Sequence, residues 1–172
     1  MIPRQALREH LLTLPQAPFL LPQCTIRENL NPFALAGVSD DEIYGILAKL
    51  NMSTLISNLP SGLDTSSSAA TFSIGQKQLL CLARVILRHQ HGGAGRKILV
   101  MDEATASLDF ETDKVVQRVL REEVFGNDMT VVVVAHRMEG IRDFDCFVEV
   151  GEGGRVRDIR SNLEREKKKK RL

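Results

Sequence analysis

One stretch of sequence decides the fold: Lys97-Ile98-Leu99-Val100-Met101-Asp102-Glu103, an unbroken apolar run that ends in two adjacent carboxylates. A second run, Met129-Thr130-Val131-Val132-Val133-Val134-Ala135, follows further along the chain. Continuous runs rich in branched side chains are typical of strands buried on both faces of a parallel sheet. Residues 109–125 separate the two runs and predict the crossover helix of a strand–helix–strand unit. The sequence therefore predicts an α/β fold with a parallel-sheet core.

A third strand is predicted upstream, at Leu11-Leu12-Thr13-Leu14. Pro15 ends this strand, and the proline-rich residues 16–22 predict a loop because proline donates no backbone hydrogen bond. Residues 25–59 have the spacing of helices, and Ser39-Asp40-Asp41-Glu42 has the pattern of a capping box. The segment therefore predicts an α-helical unit.

The remaining elements alternate between helix, loop and strand. Residues 61–71 predict a loop of small residues, and the apolar spacing over residues 74–88 predicts a helix. A glycine-rich loop over residues 89–96 is expected to end that helix. A last short strand is predicted at residues 146–150, and the charged residues from 162 onward predict a disordered tail or a frayed helix.

The composition excludes several function classes. The 172 residues carry 23 Lys and Arg against 22 Asp and Glu, so the net charge of +1 gives no general attraction to nucleic acid or to an anionic membrane. Cys24, Cys81 and Cys146 lack metal-ligand spacing and predict reduced thiols, with Cys81 and Cys146 in the core. The sequence shows neither a signal peptide nor an apolar run of the roughly 18 to 20 residues that span a membrane. We therefore expect the chain alone to be soluble and cytosolic.

Asp102 and Glu103 are delivered to the carboxyl edge of the predicted sheet, where ligands of open α/β sheets bind. Ala104-Thr105-Ala106-Ser107-Leu108-Asp109 follows them, and Phe72-Ser73-Ile74-Gly75-Gln76-Lys77-Gln78 opens the helix upstream. In isolation, an Asp-Glu pair is more typical of capping acids at a strand-to-helix turn. Together, these stretches resemble the Walker B element, the D-loop and the Leu-Ser-Gly-Gly-Gln signature of ABC-transporter ATP-binding domains. The signature opens a helix whose free N–H groups can hold phosphate oxygens.

The resemblance implies a role for each residue of the sheet edge. Asp102 would hold Mg²⁺ through its water shell, and Glu103 would polarise the water that attacks the γ-phosphate of ATP. His136 resembles the family's switch histidine, which contacts the γ-phosphate, although a lone histidine after a strand is more often a surface or capping residue. Gln16 follows the first strand and a proline, and it resembles the Q-loop glutamine that reaches Mg²⁺ and the attacking water. Gln23 lacks that context.

The signature and the D-loop are implied to bind nucleotide as well. Ser73, Gly75 and Gln76 would serve the ATP site of a partner domain, and Asp109 would contribute from the D-loop. Residues 25–33 are similar to the segment after the Q-loop in the second ATP-binding domain of the C (multidrug-resistance) subfamily. The resemblance therefore points to an export system.

The resemblance runs from about residue 2 to about residue 156 and implies a partial P-loop NTPase (ABC ATPase) fold with an α-helical subdomain. It implies ATP and Mg²⁺ as cofactors, and transmembrane domains and a second nucleotide-binding domain as partners, with no nucleic acid. ATP hydrolysis coupled to export would take place at the cytoplasmic face of a membrane. The domain bounds would be 1–24 for the core strand and Q-loop, 25–72 for the helical subdomain, 73–160 for the signature, Walker B, D-loop and switch-histidine core, and 161–172 for the charged tail.

The sequence departs from the family in three places. No Gly-x-x-x-x-Gly-Lys-Ser/Thr motif, the P-loop that cradles phosphates, occurs in it. Ile74 stands where the family consensus has glycine, and residues 66–70 replace a common acidic residue and glycine. We expect the missing P-loop segment to precede Met1, so that the chain is truncated before the Q-loop.

Two functions remain open at this point. The first is the ATP-hydrolysing part of an exporter. The second is a non-catalytic remnant, a truncated product or a pseudogene, that cannot bind ATP alone because the P-loop is absent. A DNA-repair or chromosome-structural ATPase has a similar signature but needs a coiled coil, and no sustained heptads are present.

Overall fold

The structure is a computed structural model, in which residues 10–92, 97–105, 108–125, 129–135 and 144–161 are described. The chain forms two compact units, Met1–Ala135 and His136–Leu172, and each is described by itself. Among the described residues, no helix is both long enough and apolar enough to cross a membrane.

The first unit is built on a parallel sheet of three strands. These are β1 (Leu11–Leu14), β2 (Lys97–Asp102) and β3 (Met129–Val134), with β2 in the middle. All three run in the same direction, so their carboxyl ends lie at one edge of the sheet. The predicted α/β fold with a parallel-sheet core is confirmed.

Three helices follow β1 and form the predicted helical unit. They are α1 (Ile26–Leu30), α2 (Asp40–Lys49) and α3 (Ser53–Ser57). The capping box predicted for α2 is present, and Thr25 forms a second one with Glu28 at the start of α1. Arg27 is paired with Asp40 and Asp64, so one guanidinium ties α1 to the start of α2 and to the turn that follows α3.

The central element of this unit is α4 (Ile74–His91), which packs against β1 on one side and α1 and α2 on another. Between Gln78 and Leu87 its side chains are buried almost all round, as expected of a helix that lies inside a core. The helix extends three residues past its predicted end. Lys97 explains the extension, because its buried ammonium donates to the Arg88 and His89 carbonyl oxygens at 2.9 and 2.8 Å and so caps the last turn.

The crossover helix between β2 and β3 is α5 (Phe110–Glu123). It lies within the predicted range and buries Val116, Val119 and Leu120. The βαβ order inferred from the sequence is therefore confirmed.

One face of the sheet is open, which the sequence did not predict. The face toward α4 buries Leu12, Leu14, Leu99 and Met101. On the other face, Ile98, Val132 and Val134 are 41%, 46% and 48% exposed. The expectation that both apolar runs are buried on two faces is wrong, because none of the described elements covers this second face.

The second unit contains an antiparallel hairpin of β4 (Cys146–Val150) and β5 (Val156–Ser161). β4 was predicted. β5 was not, since charged residues interrupt its apolar positions. Cys146 is exposed and was wrongly assigned to the core, whereas Cys81 is buried as predicted. The predicted tail from residue 162 lies outside the described residues.

The open face makes a prediction that compares neighbouring valines on β3. Val132→Thr is expected to change the free energy of unfolding by no more than about 0.5 kcal/mol, because its side chain is already half in water. Val133 packs against the core, so Val133→Thr places an unpaired hydroxyl there and is expected to cost about 1 to 3 kcal/mol. Urea denaturation of the two variants measures the difference, and equal losses would contradict an open face.

Candidate functional site

The carboxyl edge of the sheet brings two of the predicted site residues together. Gln16 lies two residues after β1, and Glu103 directly follows β2. The Gln16 Nε2 donates a hydrogen bond of 3.1 Å to the Glu103 Oε2. Asp102, the last residue of β2, is exposed beside them. The pairing of β1 with β2 thus places an amide and two carboxylates at one edge.

Glu103 has a strained backbone. Its φ is 43°, in the left-handed region that non-glycine residues rarely occupy. The Glu103 N–H donates to the Val134 carbonyl oxygen at 3.0 Å, which continues the pairing of β2 with β3 by one residue. The sheet therefore holds the turn in place against a cost of about 1 kcal/mol. Strain of this kind is common where a side chain is aimed at a ligand.

The proline-rich segment, residues 15–24, has little regular structure, yet side chains hold its backbone closely. The Gln78 Nε2 donates to the Pro15 carbonyl oxygen at 3.0 Å. Arg84 donates to the Phe19 carbonyl oxygen at 3.2 Å through Nη2. Both donors project from α4, so the segment is attached to that helix at two points.

Asn29 of α1 holds the far end of the same segment. It is 1% exposed, accepts from the Leu21 N–H at 2.7 Å and donates to the Leu21 carbonyl oxygen at 3.0 Å. Ser67 donates to that carbonyl oxygen as well, at 2.6 Å. Sequence reasoning missed Gln78, Arg84 and Asn29. The signal available was a polar side chain on the apolar face of a predicted helix.

The signature residues begin α4. Ser73 is the N-cap, its Oγ accepting from the Gln76 N–H at 3.1 Å, while the Gln76 Oε1 accepts from the Ser73 N–H at 2.9 Å. A Cβ added at Gly75 would lie 3.4 Å from the Leu108 Cδ2, so the small residue permits a close approach of the D-loop. Ile74 is 62% exposed. In this structure Ser73 and Gln76 cap their own helix.

Asp109, for which the resemblance implied a nucleotide-binding role in the D-loop, caps a helix in this structure. It is the N-cap of α5, and it accepts from the Thr112 N–H and Oγ1 at 3.0 and 2.6 Å. These hydrogen bonds lower the pKa of Asp109. His136 lies outside the described residues.

The described residues contain no group of three or more His, Cys, Asp and Glu side chains that could hold a metal ion. A magnesium site of the kind that uses one or two carboxylates together with phosphate oxygens needs fewer protein ligands than that. Asp102 supplies one such carboxylate. Gln16 supplies an amide oxygen, since only its nitrogen is used toward Glu103.

Comparison with known proteins shows the family and the fold. The family model described as ABC transporter matches residues 2–106, more than half of the chain. The chain belongs to the ABC transporter family. A bacterial Atm1-family ABC exporter with ATP bound has a similar structure, with a TM-score of 0.72 and 27% sequence identity over 96% of this chain and 27% of that one.

Two curated relatives narrow the ABC family to the C subfamily. The probable multidrug resistance-associated protein lethal(2)03659 of Drosophila melanogaster is 41% identical over 160 residues, 92% of this chain and 11% of the relative. ATP-binding cassette sub-family C member 3 of Rattus norvegicus is 38% identical over 149 residues, 86% of this chain and 9% of the relative. The chain therefore spans only about a tenth of these relatives. Membership of this family implies nucleotide binding.

The backbone of Glu103 allows a test of strain at this ABC site. Glu103→Gly and Glu103→Ala both remove the hydrogen bond to Gln16, but only glycine also relieves the left-handed conformation. The glycine variant is therefore expected to be more stable than the alanine variant by about 0.5 to 1 kcal/mol. Thermal and urea denaturation of the pair measure it. An alanine variant as stable as the glycine variant would mean that the turn is unstrained.

Proposed function

We propose that the chain supplies the Q-loop, signature and Walker B parts of an ATP-hydrolysing domain in an exporter, resembling the second such domain of the C subfamily. The observation that carries the proposal is the 3.1 Å contact between Gln16 and Glu103 at the carboxyl edge of the sheet. It joins the Q-loop glutamine to the carboxylate that follows the Walker B strand.

The chemistry requires a carboxylate aimed at a water molecule. In this proposal Glu103 accepts a hydrogen bond from the attacking water, and Gln16 restrains the carboxylate through its own hydrogen bond. Asp102 and the Gln16 amide oxygen would hold the magnesium ion, and His136 would bind the terminal phosphate. Bound Mg²⁺ would neutralise charge on the phosphates. The strained turn at Glu103 keeps its side chain pre-oriented.

The phosphates need a further cradle. The 172 residues contain no P-loop motif, which in this fold supplies backbone N–H groups and a lysine to the β- and γ-phosphates. The proposal therefore assigns this contact to another part of the complete transporter. It assigns Ser73, Gly75 and Gln76 to the ATP site of the second nucleotide-binding domain.

A groove beside the proline-rich segment fits the proposed transmembrane partner. It has a volume of about 450 Å³ and is lined by Phe19, Phe72, Ser67, Ser68 and Lys77, among others. Phe19 is 61% exposed in it. An apolar wall with a polar rim suits a short cytoplasmic loop of a membrane domain. We propose that this groove makes that contact, although residues 66–70 differ from the family pattern.

A chimaera tests the proposed catalysis. This chain replaces the matching segment of the rat sub-family C member 3 protein, and ATP hydrolysis is measured in membranes. Hydrolysis is expected, and Glu103→Gln is expected to lower it by a factor of about 10² or more while nucleotide binding persists. Glu111→Gln is the matched control, because this glutamate is 78% exposed and pairs only with Lys114 among the ion pairs of the described residues. A folded chimaera that binds ATP but turns over at the same rate with and without Glu103 would reject the proposal.

The isolated chain makes a separate prediction. Without P-loop contacts it is expected to show no saturable ATP binding at millimolar nucleotide, by calorimetry or by nucleotide-dependent stabilisation. A rise in melting temperature with ATP and Mg²⁺, absent with AMP, would show that these residues hold phosphates unaided. A part of a complete enzyme and a non-catalytic remnant both predict no ATP binding by the isolated chain. ATP hydrolysis by the chimaera distinguishes the two.

A further inference from the structure

We propose that Gln78 is a positioning residue, which orients Gln16 toward Glu103 and links that contact to the helix that begins at the signature. The inference deepens the proposed function, on which it rests for the role of Gln16 in hydrolysis. The contacts from which it is argued all lie within this chain.

Gln78 is buried at a cost that an apolar side chain would avoid. It is 1% exposed, and its Oε1 has no hydrogen-bond partner among the described residues. Its Nε2 donates to the Pro15 carbonyl oxygen at 3.0 Å. A carbonyl oxygen can only accept, so the amide must present its nitrogen to Pro15 and leave its oxygen unpaired. A half-satisfied buried amide is uncommon in native proteins and calls for a reason beyond packing.

The reason lies in the peptide plane that Gln78 holds. The carbonyl of Pro15 and the nitrogen and Cα of Gln16 lie in one rigid plane. Holding the carbonyl oxygen therefore fixes the position of the Gln16 Cα and the direction of the N–Cα bond about which its side chain turns. On its other side Pro15 is joined to Leu14, which is buried in β1 and paired with β2. What remains to be set is the rotation about the Gln16 N–Cα bond and the side-chain rotamers, which the hydrogen bond to Glu103 selects.

The same helix carries a second attachment to the segment. Cys81 and Arg84 follow Gln78 on successive turns of α4, and both donate to the Phe19 carbonyl oxygen, at 3.6 and 3.2 Å. Ser73 and Gln76 begin this helix only a few residues earlier. A displacement of α4 therefore moves the Pro15 carbonyl and the signature together. Gln78 therefore connects the helix that begins at the signature to the glutamine that contacts Glu103.

The test uses NMR of the full 172-residue chain and needs no nucleotide. The side-chain amide resonances of Gln16 are assigned from Gln16→Leu, and Glu103→Ala gives their position when the partner is lost. Gln78→Met keeps the volume of the side chain but removes its donor. We expect the Gln16 resonances in Gln78→Met to move at least half of the way toward their position in Glu103→Ala.

Gln90→Met is the matched control. Gln90 lies on the same helix and donates to Glu123 at 3.0 Å, so this change also removes one glutamine hydrogen bond from α4. It is expected to leave the Gln16 resonances in place. If Gln78→Met does not fold, Gln78→Asn decides, because it keeps the amide but shortens it by one methylene and takes it out of reach of Pro15.

Unmoved Gln16 resonances in the folded Gln78 variant would overturn the inference, as would an equal shift in Gln90→Met. The outcome is independent of catalysis. A chimaera without ATPase activity would reject the proposed function and leave the positioning result standing, whereas unmoved resonances beside an active chimaera would reject only the role of Gln78.

Discussion

The register between β1 and β2 is the constraint on which the site depends. Leu14 pairs with Met101, and both side chains are buried on the same face of the sheet. A slip by one residue would turn Leu14 to the open face and shift Gln16 along the sheet by about 3.3 Å, more than the length of its hydrogen bond to Glu103. The burial of Leu14 and Met101 therefore sets the register that brings Gln16 to Glu103.

The proline-rich segment is held by side chains and not by regular secondary structure. Pro15, Pro18 and Pro22 have no N–H to donate, so this stretch presents more carbonyl oxygens than it can satisfy by itself. Gln78, Arg84 and Asn29 supply the missing donors from two helices. Each bond contributes only about 1 kcal/mol net, but leaving the carbonyls unpaired would cost more. Side chains of two helices consequently hold the backbone of this segment.

The sequence predicted the elements that depend on local pattern and missed those that depend on distant partners. The capping box at Ser39 and the strand that ends at Asp102 follow from residues next to one another. The extension of α4 depends on Lys97, which belongs to a different element, and the open face of β3 depends on what packs there. Gln78 looked like one polar residue in a helix, because the Pro15 carbonyl it holds lies 63 residues away. The resemblance implied that Gln16 and Glu103 serve one site, and the structure adds the direct hydrogen bond between them.

In the proposed role, the signature must exchange one set of hydrogen bonds for another. Ser73 and Gln76 satisfy each other in a capping box, so the first turn of α4 is stable by itself. Neutral hydrogen bonds of this kind contribute about 1 kcal/mol each, whereas bonds to an ionised phosphate contribute about 1.5 to 3 kcal/mol. Replacing the hydrogen bonds of the capping box by bonds to a phosphate oxygen therefore gives a net gain in free energy, which a neutral ligand would not give. The helix end therefore favours an ionised ligand over a neutral one because it is already capped.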